Sequence, residues 1–244
     1  MNEIKKIPIL ILHGWGSTMS GGKYTQLKHL LAKKGFRVFT PDLPGFGKNP
    51  LQKEVLVFQD YIRFVHEFIT KSIRAKKIIL LGHSFGGRIA IRFTSEYPHL
   101  VERLILTGAS GIPRPLPSLK KKLVYSITKV TRPIFSVPPF SYFYKLFRKA
   151  VYYSIGEMDY YKAGNLSETF KNVYRVSILP DLKHITIPTL IVWGENDTFT
   201  PLVDGRVIHE GIKSSRLIVF PDTTHKLPYE KASEFAKEIE RFLL

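Results

Sequence analysis

The chain of 244 residues contains no cysteine. A disulfide framework, a zinc–thiolate centre and a cysteine nucleophile are thereby excluded together. Acidic residues are scarce: 20 Asp and Glu stand against 37 Lys and Arg, giving a formal net charge of +17 and a pI near 9.9. That balance favours anionic surfaces and acidic ligands, but it carries no information about fold. No stretch of 18 residues is free of charged side chains, so no membrane span is expected. HExxH, Walker and GxGxxG patterns are missing, and His29, His66, His99, His184 and His209 are scattered without metal-ligand spacing. The sequence therefore predicts neither a metal nor an organic cofactor.

What is present is ordinary for a folded domain, with 44% hydrophobic and 23% charged residues, which excludes disorder of the whole chain. Apolar runs bounded by Gly, Asp or Pro recur at residues 7–12, 36–40, 77–81, 101–107, 189–193 and 216–220. They are apolar throughout instead of alternating, as expected of strands covered on both faces. Longer mixed stretches at 23–34, 58–73, 85–96, 202–211 and 229–243 have helical character. In the last, Phe235, Ile239, Phe242 and Leu243 share one face, and Lys231, Glu234, Lys237 and Glu238 the other. Alternating strands and helices predict an α/β fold with a parallel sheet and helices on both faces. The apolar run near the N-terminus is too short for a signal peptide and no small-residue cleavage site follows it, so a cytoplasmic protein is expected.

The alternation breaks over residues 112–183, where no convincing strand occurs. This segment carries 13 Lys and Arg against 4 Asp and Glu, and 13 of the 31 Phe, Trp and Tyr. Six prolines between Pro113 and Pro139 argue against a continuous helix at its start, whereas 142–155 and 167–178 look helical. The expectation is an α/β core, residues 1–111 and 184–244, with a helical cap inserted at 112–183. Part of the cap's aromatics would line an apolar pocket, and its basic excess would allow weak contact with anionic membranes. No reading motif accompanies the charge, so no specific nucleic acid is expected.

The sharpest chemical signal is Gly82-His83-Ser84-Phe85-Gly86, a G-x-S-x-G between an apolar strand and a helical stretch. A serine on a tight strand-to-helix turn needs neighbours without side chains two positions either side. Its hydroxyl is a poor nucleophile unless a base removes the proton and an acid holds that base. Both follow in order. Asp197 lies just past the fifth strand, with Glu195 and Asp222 nearby as alternative acids, and His225 lies in the loop before the final helix. Acyl transfer also needs donors for the developing oxyanion. The turn His13-Gly14-Trp15-Gly16 and the residue after the serine point to the backbone N–H groups of Trp15 and Phe85. His13 and His83 are expected to hydrogen-bond near the site without entering the chemistry, and Asp42 to brace its own loop.

Together these motifs resemble the α/β-hydrolase superfamily, in particular its small capped esterase-like serine hydrolases. The resemblance rests on His13–Gly16, on Asp42-Leu43-Pro44-Gly45-Phe46-Gly47, on Gly82–Gly86, on Asp197 within a G-x-x-D, and on His225. It implies a catalytic triad of Ser84, Asp197 and His225 acting on a small-molecule ester or lactone. Only twelve residues precede His13, too few for the antiparallel hairpin that usually opens this fold, so a reduced sheet of about six strands, mostly or wholly parallel, is expected. Dehalogenases and epoxide hydrolases of similar architecture place an aspartate where Ser84 stands. Carbon–carbon bond hydrolases keep the serine but typically carry Trp after the catalytic histidine, where this chain has Lys226. Lactonase, thioesterase and perhydrolase activities share the triad. A non-catalytic basic protein that associates with membranes or nucleic acid on the same fold is the alternative from another class.

Overall fold

The computed structural model describes residues 3–16, 22–51, 54–113 and 166–244. The chain divides into two compact units, Met1–Ile112 with Asn172–Leu244, and Pro113–Lys171. Of the second unit, Pro113 and residues 166–171 are described. The helix expected over 142–155 and most of the aromatic and basic residues of the expected cap lie outside the described residues.

The larger unit is built on a six-stranded sheet, parallel throughout, of order β2-β1-β3-β4-β5-β6. The strands are β1 (Ile9–Leu12), β2 (Val38–Phe39), β3 (Ile78–His83), β4 (Val101–Thr107), β5 (Thr189–Gly194) and β6 (Ser215–Phe220). This is the reduced all-parallel sheet the sequence predicts. The expected strand over 36–40 is shorter, paired with β1 at Val38 and Phe39, with Arg37 O accepting the Ile9 N–H at 2.8 Å.

Every residue of β1, β3 and β5 is buried, and their alternation separates two layers. Ile9, Ile11, Ile79, Leu81, Leu190 and Val192 join one cluster with Leu27 and Leu31 of α1 (Thr25–Lys33) and with Phe235, Ile239 and Leu243 near the C-terminus. Helix α2 (Phe58–Glu67) starts where Asp60 Oδ2 accepts the Val57 N–H at 2.7 Å. Helix α3 (Phe85–Glu96) covers the other face, where a Cβ added to Gly82 of β3 would lie 2.8 Å from Ala90 Cβ.

Two expected helices are interrupted. The 58–73 stretch is α-helical to Glu67 and then widens into a π-helical turn at Phe68–Ile73, closed by Arg74 at φ 54° with its N–H on Ile69 O. The C-terminal helix is split at Lys231. Beyond β4 the described helices are α4 (Ser167–Tyr174), α5 (Leu179–Leu182), α6 (Leu202–Gly211), α7 (Leu227–Glu230) and α8 (Ala232–Leu243), the last two being its pieces. Glu230 Oε2 turns back to accept the Thr224 hydroxyl at 2.9 Å.

The return boundary of the insertion falls earlier than 183. Residues 172–183 belong to the larger unit, because Val173, Ile178 and Leu182 are buried and polar contacts hold them there. The Arg88 guanidinium of α3 donates to Val173 O, the Ile178 N–H donates to Gly111 O at 3.2 Å, and Arg92 Nε meets Asp181 Oδ2 at 2.8 Å. Among the described residues no helix is long and apolar enough to cross a membrane.

Candidate active site

The carboxyl ends of parallel strands are where open α/β sheets keep their sites, and four segments converge there. Ser84 follows β3 directly, with φ 54° and ψ −115°. Its N–H donates to Thr107 O, and its carbonyl accepts from both Arg88 N and Ser110 N, each at 3.1 Å. A residue with a Cβ held in this left-handed region costs on the order of 1–3 kcal/mol and persists only where the surroundings enforce it. The flanking glycines have a separate, steric reason. A Cβ on Gly82 would lie 2.5 Å from Gly86 O, and one on Gly86 would lie 2.7 Å from His13 O. The turn can close only with hydrogen at both positions.

Asp197 follows β5 and is buried. Its Oδ1 accepts the N–H groups of Phe199 and Thr200, both at 2.9 Å. Its Oδ2 accepts the Thr200 hydroxyl at 2.9 Å and lies 2.8 Å from His225 Nδ1. A carboxylate oxygen accepts, so Nδ1 of His225 carries the proton and Nε2 is left as the basic nitrogen. The acid loop is itself held by Trp193 Nε1 donating to Thr200 O at 2.7 Å. Two backbone bonds, Glu195 N to Phe220 O at 3.0 Å and Asn196 N to Thr223 O at 2.9 Å, tie it to the loop that carries His225. The two alternative acids face elsewhere: Glu195 and Asp222 are exposed, the Asp222 N–H reaching Glu195 Oε2 at 3.4 Å.

The first-strand turn stands beside the serine, since a Cβ on Gly14 would lie 3.5 Å from Ser84 Oγ. The Gly14 N–H is engaged by Tyr24 Oη at 3.2 Å. The next residue, Trp15, brings its ring to 5.2 Å from that of Phe85, edge to face, and to 5.0 Å from Phe46. His13 is fully buried, its Nε2 accepting the Leu43 N–H at 2.9 Å and its Nδ1 2.9 Å from Gly14 O. It thus joins the first turn to the loop after β2, and burial lowers its pKa. Asp42 accepts the Lys48 N–H at 2.9 Å, and Asn49 Nδ2 donates to its carbonyl at 3.0 Å. Among the described residues no group of His, Asp and Glu is arranged to hold a metal.

Three side chains at the site escape the sequence reading. Thr200 has a local signal, since a Ser or Thr three positions after an Asp shares its turn. Tyr24 and Tyr229 have none, because their common partner His83 is 59 and 146 residues away.

A 2-hydroxy-6-oxononadienedioate/2-hydroxy-6-oxononatrienedioate hydrolase of Klebsiella pneumoniae is 27% identical over 251 residues, covering 98% of this chain and 87% of that protein. A thermophilic esterase from Thermogutta terrifontis shares the fold at TM-score 0.72 and 22% identity, over 97% of this chain and 89% of its own. The meta-cleavage product hydrolase of Pseudomonas fluorescens does so at TM-score 0.69 and 21% identity, over 97% and 90%. Residues 4–232 match the model of the family described as serine aminopeptidase, S33, and the chain belongs to that family of α/β-hydrolases.

Proposed function

We propose that the protein hydrolyses carboxylic esters of small to medium acyl chain through an acyl-enzyme on Ser84. Ser84 Oγ attacks the carbonyl carbon while His225 Nε2 takes the hydroxyl proton. The tetrahedral oxyanion is held by the N–H groups of Trp15 and Phe85. His225 then gives its proton to the leaving alcohol, and a water repeats the cycle on the acyl-enzyme. Asp197 keeps the imidazole in the tautomer that leaves Nε2 free and stabilises the imidazolium. The observation that carries the reading is the buried, fully hydrogen-bonded Asp197 paired at 2.8 Å with His225, on the same strand ends as a serine held at positive φ. Lactones and thioesters present the same electrophilic carbonyl and are substrates of the same machinery.

A second reading has its own support. The Klebsiella pneumoniae relative is named as a hydrolase of a dienedioate, which favours cleavage of a carbon–carbon bond beside a ketone by the same residues. Lys226 in the position after the histidine, where that branch typically carries Trp, favours the ester.

The deciding experiment is steady-state hydrolysis of p-nitrophenyl esters of increasing acyl length by the parent and by Ser84→Ala, with a vinylogous 1,5-diketone acid and an aminoacyl p-nitroanilide run alongside. The expected result is ester turnover that Ser84→Ala abolishes, with an optimum acyl length that reports pocket depth. An ester-inert parent that cleaves the diketone would transfer the assignment to the second reading, and one that cleaves only the anilide would transfer it to amide bonds.

A further inference from the structure

His83, the residue before the nucleophile, is buried and takes no part in the mechanism above. Its Nε2 lies 2.9 Å from the backbone carbonyl of His225. A carbonyl oxygen only accepts, so Nε2 must carry the proton. Nδ1 of the neutral ring is then an acceptor, and Tyr24 Oη stands 2.7 Å from it, with Tyr229 Oη at 3.3 Å. The Tyr24 hydroxyl is in turn an acceptor for the Gly14 N–H at 3.2 Å and for the Tyr229 hydroxyl at 3.1 Å. With those two bonds received, its single proton goes to His83 Nδ1. Donor directions therefore run without conflict from Gly14 N–H through Tyr24 and His83 to the carbonyl of His225. Burial, and the neighbouring His225 ring at a centroid distance of 4.8 Å, push the His83 pKa well down, which keeps the ring in the neutral form this chain of donors requires.

We infer that His83 is a positioning residue that braces two catalytic loops at once, holding the backbone of His225 through Nε2 and, through Tyr24, the Gly14 amide beside the proposed oxyanion donor Trp15. The inference rests on the serine hydrolase reading above. Its physical basis is that the His225 imidazole is aimed from a loop, and the loop is anchored on its inner side by this carbonyl. Displacements of about 1 Å in such a group cost on the order of 100-fold in rate.

The test compares His83→Phe, His83→Gln and Tyr24→Phe with the parent. The amide of Gln can place an N–H near the position of Nε2, whereas Phe removes both hydrogen bonds and keeps a planar ring of somewhat larger size. The expected outcome for His83→Phe is a kcat lower by about 10- to 100-fold with KM within about twofold. His83→Gln recovers most of that loss, and Tyr24→Phe falls between the two. A purely structural role would lower the thermal midpoint without this kcat-against-KM split. Two further readouts do not depend on finding the right ester. One is the rate of covalent labelling by a fluorophosphonate. The other is the far-downfield proton resonance of His225 Nδ1–H on Asp197, expected in the parent and lost or shifted in His83→Phe. A folded His83→Phe with parental kcat and an unchanged downfield proton overturns the inference, as does a His83→Gln no better than His83→Phe. A parent that resists the fluorophosphonate instead overturns the serine hydrolase reading, and the downfield proton then still decides whether His83 positions His225.

Discussion

Thr200 donates its hydroxyl at 2.9 Å to Oδ2 of Asp197, the same carboxylate oxygen that lies 2.8 Å from His225 Nδ1. The hydroxyl also lies 3.1 Å from Nδ1 itself and 3.1 Å from Gly108 O, so one side chain fixes where both members of the pair sit. Hydrogen bonds to charged groups are worth about 1.5–3 kcal/mol. Thr200→Val, which keeps the shape and removes the donor, is expected to lower kcat for ester turnover about tenfold, at the low end of that range, with KM little changed. Thr200→Ser should retain most of the activity. Steady-state kinetics on the three proteins check this, and a Thr200→Val enzyme with parental kcat would show that the two backbone N–H donors hold Asp197 unaided.

Gly108, just past β4, also stands against the pair. It has φ +52°, and a Cβ there would come 3.0 Å from both Cε1 and Nδ1 of His225 and 3.3 Å from Asp197 Oδ2. Alanine must therefore push the imidazole or the carboxylate, besides bearing a left-handed conformation that costs about 1–2 kcal/mol. Gly108→Ala is expected to lose about 100-fold in kcat, the scale set by a misplacement of about 1 Å, while far-ultraviolet circular dichroism stays that of the parent. A parental rate in the folded variant would mean that the neighbours yield at no catalytic cost.

These two residues show where sequence reading reaches and where it stops. Helices α3 and α6 are legible to the residue, because α3 starts at a glycine-bounded serine turn and α6 directly after Pro201. Ser84, Asp197 and His225 each sit in a short pattern beside a strand end, and the structure brings Asp197 and His225 into contact while leaving Glu195 and Asp222 outside. The π-helical turn before Arg74 and the break at Lys231 are not legible, since each turns on local bonds without a periodic signature, Arg74 N–H to Ile69 O in one and Glu230 to the Thr224 hydroxyl in the other. Tyr24 and Tyr229 are invisible because a tyrosine beside α1 or within the short α7 reads as packing, and only the folded chain reveals that its hydroxyl meets His83. The return boundary of the insertion depends on Arg88 and Arg92 crossing from α3 to residues 173–181, a long-range pairing with no periodic signature.

The conformation of Ser84 yields a prediction about stability in place of rate. At φ 54° and ψ −115° the backbone carries a strain on the order of 1–3 kcal/mol, which glycine relieves and alanine does not. Part of the gain is offset by the greater freedom of glycine in the unfolded chain, about 0.5–1 kcal/mol. Ser84→Gly should therefore be inactive yet more stable than Ser84→Ala by about 1 kcal/mol, a difference of roughly 2–4 °C in thermal midpoint for a chain of this size. Scanning calorimetry on the two inactive variants isolates the backbone effect. Equal midpoints would mean that the turn imposes no strain on a Cβ.

Acid sensitivity follows from the two buried histidines of the network. His13 and His83 both have lowered pKa values, chiefly because burial penalises the charged ring, and the shift at His83 is the larger. In the unfolded chain each binds a proton near the ordinary value of about 6.5. Above that value neither state is protonated there and the stability is fully present. As the pH falls below 6.5 the unfolded chain takes up protons that the folded chain still excludes, so stability is lost toward the acid side. Each excluded proton contributes a slope of up to about 1.4 kcal/mol per pH unit. Urea unfolding at pH 7.5, 6.5, 6.0 and 5.5 is expected to show a plateau followed by a decline. His83→Gln, which removes one of the two groups, should lessen that decline by about one proton's worth. A parental chain equally stable at pH 5.5 and 7.5, or a His83→Gln variant with the parental slope, would show that His83 takes up its proton within the folded protein, contrary to the neutral ring on which the donor chain from Gly14 to His225 depends.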